Sequence, residues 1–185
     1  MSKLSRYGLT ILALVIIQTL ILGWMVNARV HILRSPDVVT LQSEPVDPRD
    51  LFRGDYVTLT YGISSLSLTD INGDMDWKDG DTIFVELTPM KNNWRAIAAF
   101  HEHTVPALGN KIIRGGITSL DTTRNIASID YGIERYFVPE GQGRTLENQR
   151  NERALSFDVA IASNGEAAIK GIRIEGKPVY EEPLF

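Results

Sequence analysis

The chain has 185 residues and a mass of 20.6 kDa, which is enough for one domain with a hydrophobic core. Hydrophobic residues make up 43% and charged residues 23% of the chain, a composition that excludes wholesale disorder. There is no cysteine, which excludes a disulfide framework, a thiolate metal site and a cysteine nucleophile. The net charge of −4 at pH 7 argues against a nucleic-acid-binding protein.

The first predicted element is a membrane anchor. Residues 8–26 carry no charge, and a helix of this length spans the hydrocarbon core of a bilayer, roughly 30 Å thick. Trp24 lies near its far end, where an indole favours the membrane interface. The alternative is a signal peptide with Lys3 and Arg6 as its basic region, cleaved after Ala28. The apolar stretch exceeds the roughly 7–15 residues typical of such peptides, which favours an uncleaved signal anchor.

Flanking charge predicts the orientation of this anchor. The N-terminal amine, Lys3 and Arg6 precede it, against Arg29 and Arg34 after it, which favours a cytoplasmic N-terminus. All 23 acidic residues and 17 of the 19 basic residues follow Ala28, so the remaining chain has a net charge of −6. We therefore expect residues 1–7 in the cytoplasm and the C-terminal part outside it.

The rest of the chain predicts a linker and a β-rich domain. Residues 27–50 contain three prolines and are predicted to form an extended linker. Within residues 51–185, short β-branched, aromatic or alternating runs recur between turn signals. The predicted strands are 55–61, 82–87, 94–100, 111–117, 126–129, 134–138, 155–161 and 167–174. One short helix is predicted over 145–153. The pattern indicates a mainly β fold, a small barrel- or sandwich-like outer domain with one short helix, preceded by a single N-terminal transmembrane helix.

Four pairs ending in glycine separate these runs. They are Asn72-Gly73, Asp79-Gly80, Asn164-Gly165 and Glu175-Gly176. Asn164-Gly165 is the strongest hairpin prediction, because a type I′ turn needs positive φ at both of its central residues.

One motif in the chain is specific. Residues 54–61 read Gly-Asp-Tyr-Val-Thr-Leu-Thr-Tyr, the pattern G-D-Y-x-x-L-x-Y. With the lead-in at 47–53 and the later segment Tyr-Gly-Ile-Glu-Arg-Tyr-Phe-Val-Pro-Glu-Gly at 131–141, the chain resembles the GDYXXLXY family over essentially its whole length. This is a bacterial, membrane-anchored family of uncharacterised function. The resemblance implies a bacterial inner (cytoplasmic) membrane protein with a periplasmic domain, and as partner a multi-pass membrane protein.

The motif itself has two interpretations. In a strand, Leu59 and Tyr61 share one face, which predicts that they are core residues. Tyr56 points to the opposite face, and Gly54 permits the turn before it. The motif is then a folding signature, or its polar end is a binding surface. The residues of the candidate surface are Arg53, Gly54, Asp55, Tyr56, Leu59 and Tyr61.

The segment at 131–141 extends this candidate surface. Glu134 and Tyr136 share one strand face, and Arg135 lies on the other. A guanidinium beside an apolar face suits an ion pair with a carboxylate of a partner.

Two metal sites and one hydrolase site are weaker candidates. Residues 70–81 resemble a calcium loop, with candidate ligands Asp70, Asn72, Asp74 and Asp81, but Met75 replaces the glycine that the sharp turn requires. His101 and His103 would share a strand face, yet zinc needs a third ligand that the sequence does not identify.

The predicted strand after residue 48 is loosely similar to the strand that follows the nucleophile in serine–lysine signal peptidases. Lys111 would then be the base, and Ser35 or Ser43 the nucleophile.

The sequence therefore favours an accessory protein over an enzyme. We expect a membrane-anchored domain that binds another protein, with no cofactor and no nucleic acid. The alternatives are a membrane-anchored hydrolase with a serine–lysine site and a calcium-stabilised binding module.

Overall fold

The N-terminal unit of the protein is one long helix. A computed structural model describes residues 6–44, 56–137 and 155–182, and it separates into a unit ending at His31 and a unit beginning at Ile32. Helix α1, Arg6–Leu33, leaves the apolar side chains of residues 9–26 exposed around its whole circumference, whereas Leu33 at its end is buried. Among the described residues it is the one helix long and apolar enough to cross a membrane, over Tyr7–Leu33. A helix that is apolar on every side suits a lipid environment better than water.

The second unit is built from thirteen described strands. Their bounds are β1 Val38–Glu44, β2 Tyr56–Thr58, β3 Thr60–Tyr61, β4 Ser65–Ser67, β5 Asn72–Gly73, β6 Thr82–Pro89, β7 Trp94–Phe100, β8 Lys111–Asp121, β9 Ile126–Asp130, β10 Arg135–Phe137, β11 Leu155–Ile161, β12 Ala167–Ile174 and β13 Lys177–Glu181. The mainly β fold with one N-terminal helix agrees with the sequence prediction.

The strands form three sheets. One has the order β13-β12-β11-β1-β3, a second has the order β4-β9-β8-β6-β7-β5, and β10 pairs with β2 alone. Neighbouring strands are antiparallel except for β5 and β7, which are parallel. Gly73 of β5 lies so close to β7 that a Cβ would stand 1.9 Å from the Ala99 carbonyl oxygen. A side chain at this position is therefore excluded.

The two larger sheets share one hydrophobic core. Inward-facing residues of the first sheet, such as Leu41 and Phe157, belong to the same buried cluster as Ile83 and Ile113 of the second. Backbone hydrogen bonds also join the sheets, including Arg114 N–H to the Gly165 carbonyl at 2.8 Å. The sheets therefore stabilise each other, because neither has a separate core to bury.

Strand β1 lies within the predicted linker. Its residues 39, 41 and 43 are buried and 42 and 44 are exposed, and it lies between β11 and β3. The prolines of residues 27–50 flank this strand without interrupting its hydrogen bonds, so they do not prevent pairing.

The turns also differ in detail from the sequence prediction. At Asn164-Gly165 a hairpin does join β11 to β12, but Gly165 alone has positive φ, and the Gly165 N–H bonds to the Ala162 carbonyl. This geometry is a type I turn followed by a left-handed glycine. The two-residue turn with positive φ at both positions is Glu175-Gly176, between β12 and β13. The predicted helix at 145–153 lies outside the described residues.

Candidate functional site

The structure brings together the two segments singled out in the sequence. Strand β2 of the motif pairs with β10 of the 131–141 segment, with Thr58 opposite Arg135 and Tyr56 opposite Phe137. The next backbone bond runs from the Leu59 N–H to the Glu134 carbonyl at 2.8 Å. We call residues 56–58 and 135–137 the ribbon. Residues more than 70 positions apart thus form one two-stranded element.

The inner end of the motif is part of the core. Leu59 and Tyr61 are both 1% exposed, which confirms the prediction that they are core residues. The Tyr61 hydroxyl donates to the Ile133 carbonyl at 2.9 Å, and its ring meets Phe157 edge to face at 6.0 Å. These contacts fix the motif to both the 131–141 segment and the first sheet.

A tight turn between β9 and β10 is organised by Glu134. Its carboxylate accepts the Tyr131 N–H at 2.7 Å and the Ile133 N–H at 2.8 Å, one on each oxygen. The Tyr131 hydroxyl donates to the Ile63 carbonyl at 2.8 Å. Gly132 has a φ of 76° and donates its N–H to Asp130 at 2.7 Å. The turn is therefore held by side-chain oxygens in place of strand pairing.

Burial gives this turn an unusual titration. Desolvation, and then the hydrogen bond with Asp130, raises the pKa of Glu134 to about 7. The same hydrogen bond, with that from Gly132, lowers the pKa of Asp130. The two carboxyl groups consequently hold one proton between them until the pH approaches neutrality. Burial, and then the charge on Glu134, raises the pKa of Tyr61 and Tyr131, so both hydroxyls remain donors.

The outer end of the motif is only partly described. Arg135 is exposed at the start of β10, and its positive charge helps to lower the pKa of Asp130. Tyr56 and Tyr136 are placed by backbone pairing in the ribbon. The predicted site residues Arg53, Gly54 and Asp55 lie outside the described residues. Of the predicted site residues, the ribbon therefore contains Tyr56, Arg135 and Tyr136.

A polar cleft lies elsewhere on the domain. It has a volume of about 670 Å³ and lies between the first sheet and the β6–β7 hairpin. Arg173 lines it, donating from Nε to both Asp158 carboxylate oxygens, at 2.8 and 2.7 Å. Trp94 and Lys177 also line it. This cleft was not predicted from the sequence, because its lining comes from four separate segments whose contacts are set by the tertiary fold.

Residues of the candidate calcium loop take part in strand pairing and in local hydrogen bonds. Asn72 forms part of β5, the Asp74 carboxylate accepts the His101 N–H at 2.8 Å, and the Asp81 carboxylate accepts the Lys78 N–H at 2.8 Å. Asp70 is exposed. Within the described ranges there is no group of three or more His, Asp or Glu that could hold a metal ion.

The two histidines do not share a strand face, because β7 ends at Phe100. His101 stacks on Trp77 with ring centroids 3.9 Å apart, and its Nε2 lies 3.1 Å from the Met75 carbonyl. His103 meets Phe84 edge to face at 5.6 Å. Both rings pack against aromatic side chains instead of converging.

The structure does not bring the residues of the serine–lysine hypothesis together by hydrogen bonds or ion pairs. Lys111 forms an ion pair with Asp37, and the Ser35 hydroxyl donates to the Ile161 carbonyl. Ser43 is fully buried, and its hydroxyl has no hydrogen-bond partner among the described residues. Lys111 is therefore paired with a carboxylate and with neither of the two serines.

The features described so far define a class of protein: a β-rich domain that follows one helix able to cross a membrane. The family model for the GDYXXLXY protein matches residues 18–172. This match covers most of the chain, and the protein therefore belongs to the GDYXXLXY family. Comparison with curated proteins and with solved structures gave no significant match.

Proposed function

We propose that this protein is an accessory subunit that binds a multi-pass membrane protein through its β-rich domain. In this proposal α1 is an uncleaved signal anchor in the bacterial inner membrane, and the domain lies on the periplasmic side. The charges of Lys3 and Arg6 before the helix support that orientation. The apolar surface of the whole helix supports its insertion in lipid.

The observation that carries the proposal is the division of the motif into two ends. Leu59 and Tyr61 are buried, so core packing explains their positions in the motif. In the ribbon the motif pairs with β10, whose first residue, Arg135, is exposed. An exposed arginine on a paired strand is a side chain of the kind that anchors protein interfaces.

The chemistry of the described residues supports binding over hydrolysis. Lys111 is engaged by Asp37, and the Ser35 hydroxyl is engaged by a backbone carbonyl. The raised pKa of Glu134 belongs to a carboxylate that already accepts two backbone N–H groups. Structural carboxylates of this kind also shift their pKa, so the shift alone is no sign of catalysis.

Affinity purification tests the proposal. The tagged full-length protein is isolated from membranes in a mild detergent, and co-purifying proteins are identified and quantified by mass spectrometry. We expect one multi-pass partner in a stoichiometric amount, and its loss in Arg135→Ala and Tyr56→Ala. The matched control is Lys177→Ala, which removes an exposed cation from the rim of the polar cleft.

The control decides between two surfaces. Loss of the partner in Lys177→Ala with retention in Arg135→Ala would move the interface to the cleft and contradict the ribbon as the binding surface. A protein that purifies alone would contradict the accessory function itself.

A further inference from the structure

The connection between β7 and β8 presents two apolar side chains to solvent. Val105 is 94% exposed and Leu108 is fully exposed. Residues 107–110 form a β-turn, in which the Asn110 N–H bonds to the Ala107 carbonyl at 2.9 Å and Gly109 has a φ of 88°. Positive φ at the third position is the mark of a type II turn, and it places Leu108 at the tip. We call residues 101–110 the strap.

The strap is held in place by a buried carboxylate. Glu86 of β6 is 8% exposed, and one of its oxygens accepts the Ala107 N–H at 2.9 Å and the Asn110 side-chain amide at 2.7 Å. These two bonds grip the turn on both sides of Leu108. Leu108 is therefore exposed on an anchored turn. Releasing the turn would leave the Glu86 carboxylate without these two partners.

The C-terminal end of the strap lies next to the segment between α1 and β1. Lys111, three residues after Leu108, forms an ion pair with Asp37. Asp37 follows the last residue of α1, Leu33, by only four positions. Four residues of extended chain span at most about 14 Å. Lys111, the first residue after the strap, is thus paired with the short segment that follows α1 in the chain.

We propose that the strap makes a second contact between this protein and the lipid bilayer, with Leu108 and Val105 inserted at the headgroup boundary. The proposal rests on the anchoring of α1 in the membrane and adds a lipid-binding site to it. The 27 residues of Tyr7–Leu33 correspond to about 40 Å of helix, close to the full thickness of a bilayer with its headgroups. The domain therefore begins at the membrane surface.

The lack of charge around Leu108 and the tethering of the domain favour a lipid surface over a protein as the partner of the strap. No charged residue lies between Glu102 and Lys111, in a domain whose net charge is negative. A contact made by two apolar side chains is weak in free solution, because the area that they bury is small. On a tethered domain the same contact is intramolecular, and the high effective concentration of the surface makes it significant.

The absence of cysteine allows a direct test. Leu108→Cys in the full-length chain is labelled with an environment-sensitive fluorophore and reconstituted into vesicles of phosphatidylethanolamine and phosphatidylglycerol. The matched control is Thr123→Cys in the exposed β8–β9 turn, twelve positions after Lys111 along the strand and hairpin. We expect blue-shifted emission at 108, quenched by spin-labelled lipid, and aqueous emission at 123. Val105→Asp added to Leu108→Cys is expected to reduce the quenching.

Two outcomes would overturn the proposal. Aqueous emission at 108 with quenching by iodide equal to that at 123 would show that the strap remains in solvent. Blue-shifted emission without quenching by spin-labelled lipid would show that protein covers the strap. Carbonate extraction of the same vesicles tests the anchor independently, and partner purification tests the accessory function independently. Failure of the lipid contact is therefore distinguishable from failure of either.

Discussion

The two ends of the eight-residue motif lie in different structural surroundings. At the inner end, Leu59 and Tyr61 are enclosed by the core, and the Tyr61 hydroxyl has a buried acceptor. At the outer end, β2 is paired with β10, the strand that begins at the exposed Arg135. Core packing therefore accounts for Leu59 and Tyr61. For the outer end of the motif, with Arg135 opposite it, partner binding is the function that we propose.

The largest expected effect is at the inner end. Tyr61→Ala should lower the free energy of unfolding by about 3–5 kcal/mol, because it removes a buried aromatic ring and leaves a cavity. Tyr61→Phe keeps the ring but leaves the Ile133 carbonyl without its donor, and should cost about 1 kcal/mol. Urea denaturation of the full-length protein in detergent, followed by tryptophan fluorescence, measures both. A loss below about 1 kcal/mol for the alanine variant would contradict the assignment of Tyr61 to the core.

A smaller effect is expected at Glu134, where the two ends meet. Glu134→Gln places an amide group where one carboxylate oxygen accepts a backbone N–H, so either the Tyr131 or the Ile133 donor loses its acceptor. The expected loss is about 1–3 kcal/mol at about pH 8. Glu102→Gln, at an exposed position, is the control and should change stability by less than about 0.5 kcal/mol. Equal effects of the two substitutions would mean that the Glu134 carboxylate does not hold the turn.

The titration of Glu134 gives a dependence of stability on pH. Its folded-state pKa of about 7 is above its ordinary value of 4.5, so between these values the folded protein binds more protons than the unfolded chain. The free energy of unfolding should therefore fall as pH rises through this window and level off above it. The lowered pKa of Asp130 acts with the opposite sign, but only at more acid pH.

Denaturation curves at several pH values check this slope. The slope should disappear in Glu134→Gln and persist in Glu102→Gln. A wild-type stability that rises across the window would show that other groups outweigh Glu134.

The smallest effect on stability is expected at the outer end. Arg135→Ala should change the free energy of unfolding by less than about 0.5 kcal/mol, because the side chain is exposed. The same substitution should abolish co-purification of the partner. A large loss of stability in Arg135→Ala would remove the contrast between the two ends and make the whole motif a folding signature.

Local pattern was sufficient to predict many of the strands. The strands at 94–100, 155–161 and 167–174 were predicted at their observed bounds, because each alternates or carries β-branched residues between clear turn signals. Strand β13 was not predicted. All five of its residues are exposed, so it lacks the burial pattern that a sequence can reveal. Strand β1 was assigned to a linker because of the prolines around it.

The site was predictable only in part. The burial of Leu59 and Tyr61 followed from alternation, and the importance of the 131–141 segment followed from its composition and from the family resemblance. The pairing of these segments did not follow, because the sequence contains no signal for contacts between distant strands. The anchoring role of Glu86 was missed for the same reason, since its partners Ala107 and Asn110 are acquired through the fold.

The position of β1 has a mechanical consequence. The chain passes from α1 into a strand with neighbours on both sides, and it is fastened before that strand by Ser35 to Ile161 and by Asp37 to Lys111. Tension applied to the helix would therefore reach an interior strand and both large sheets together. An edge strand would peel away one hydrogen bond at a time. Because β1 is paired on both sides, the tension would instead be shared among the hydrogen bonds to both of its neighbouring strands.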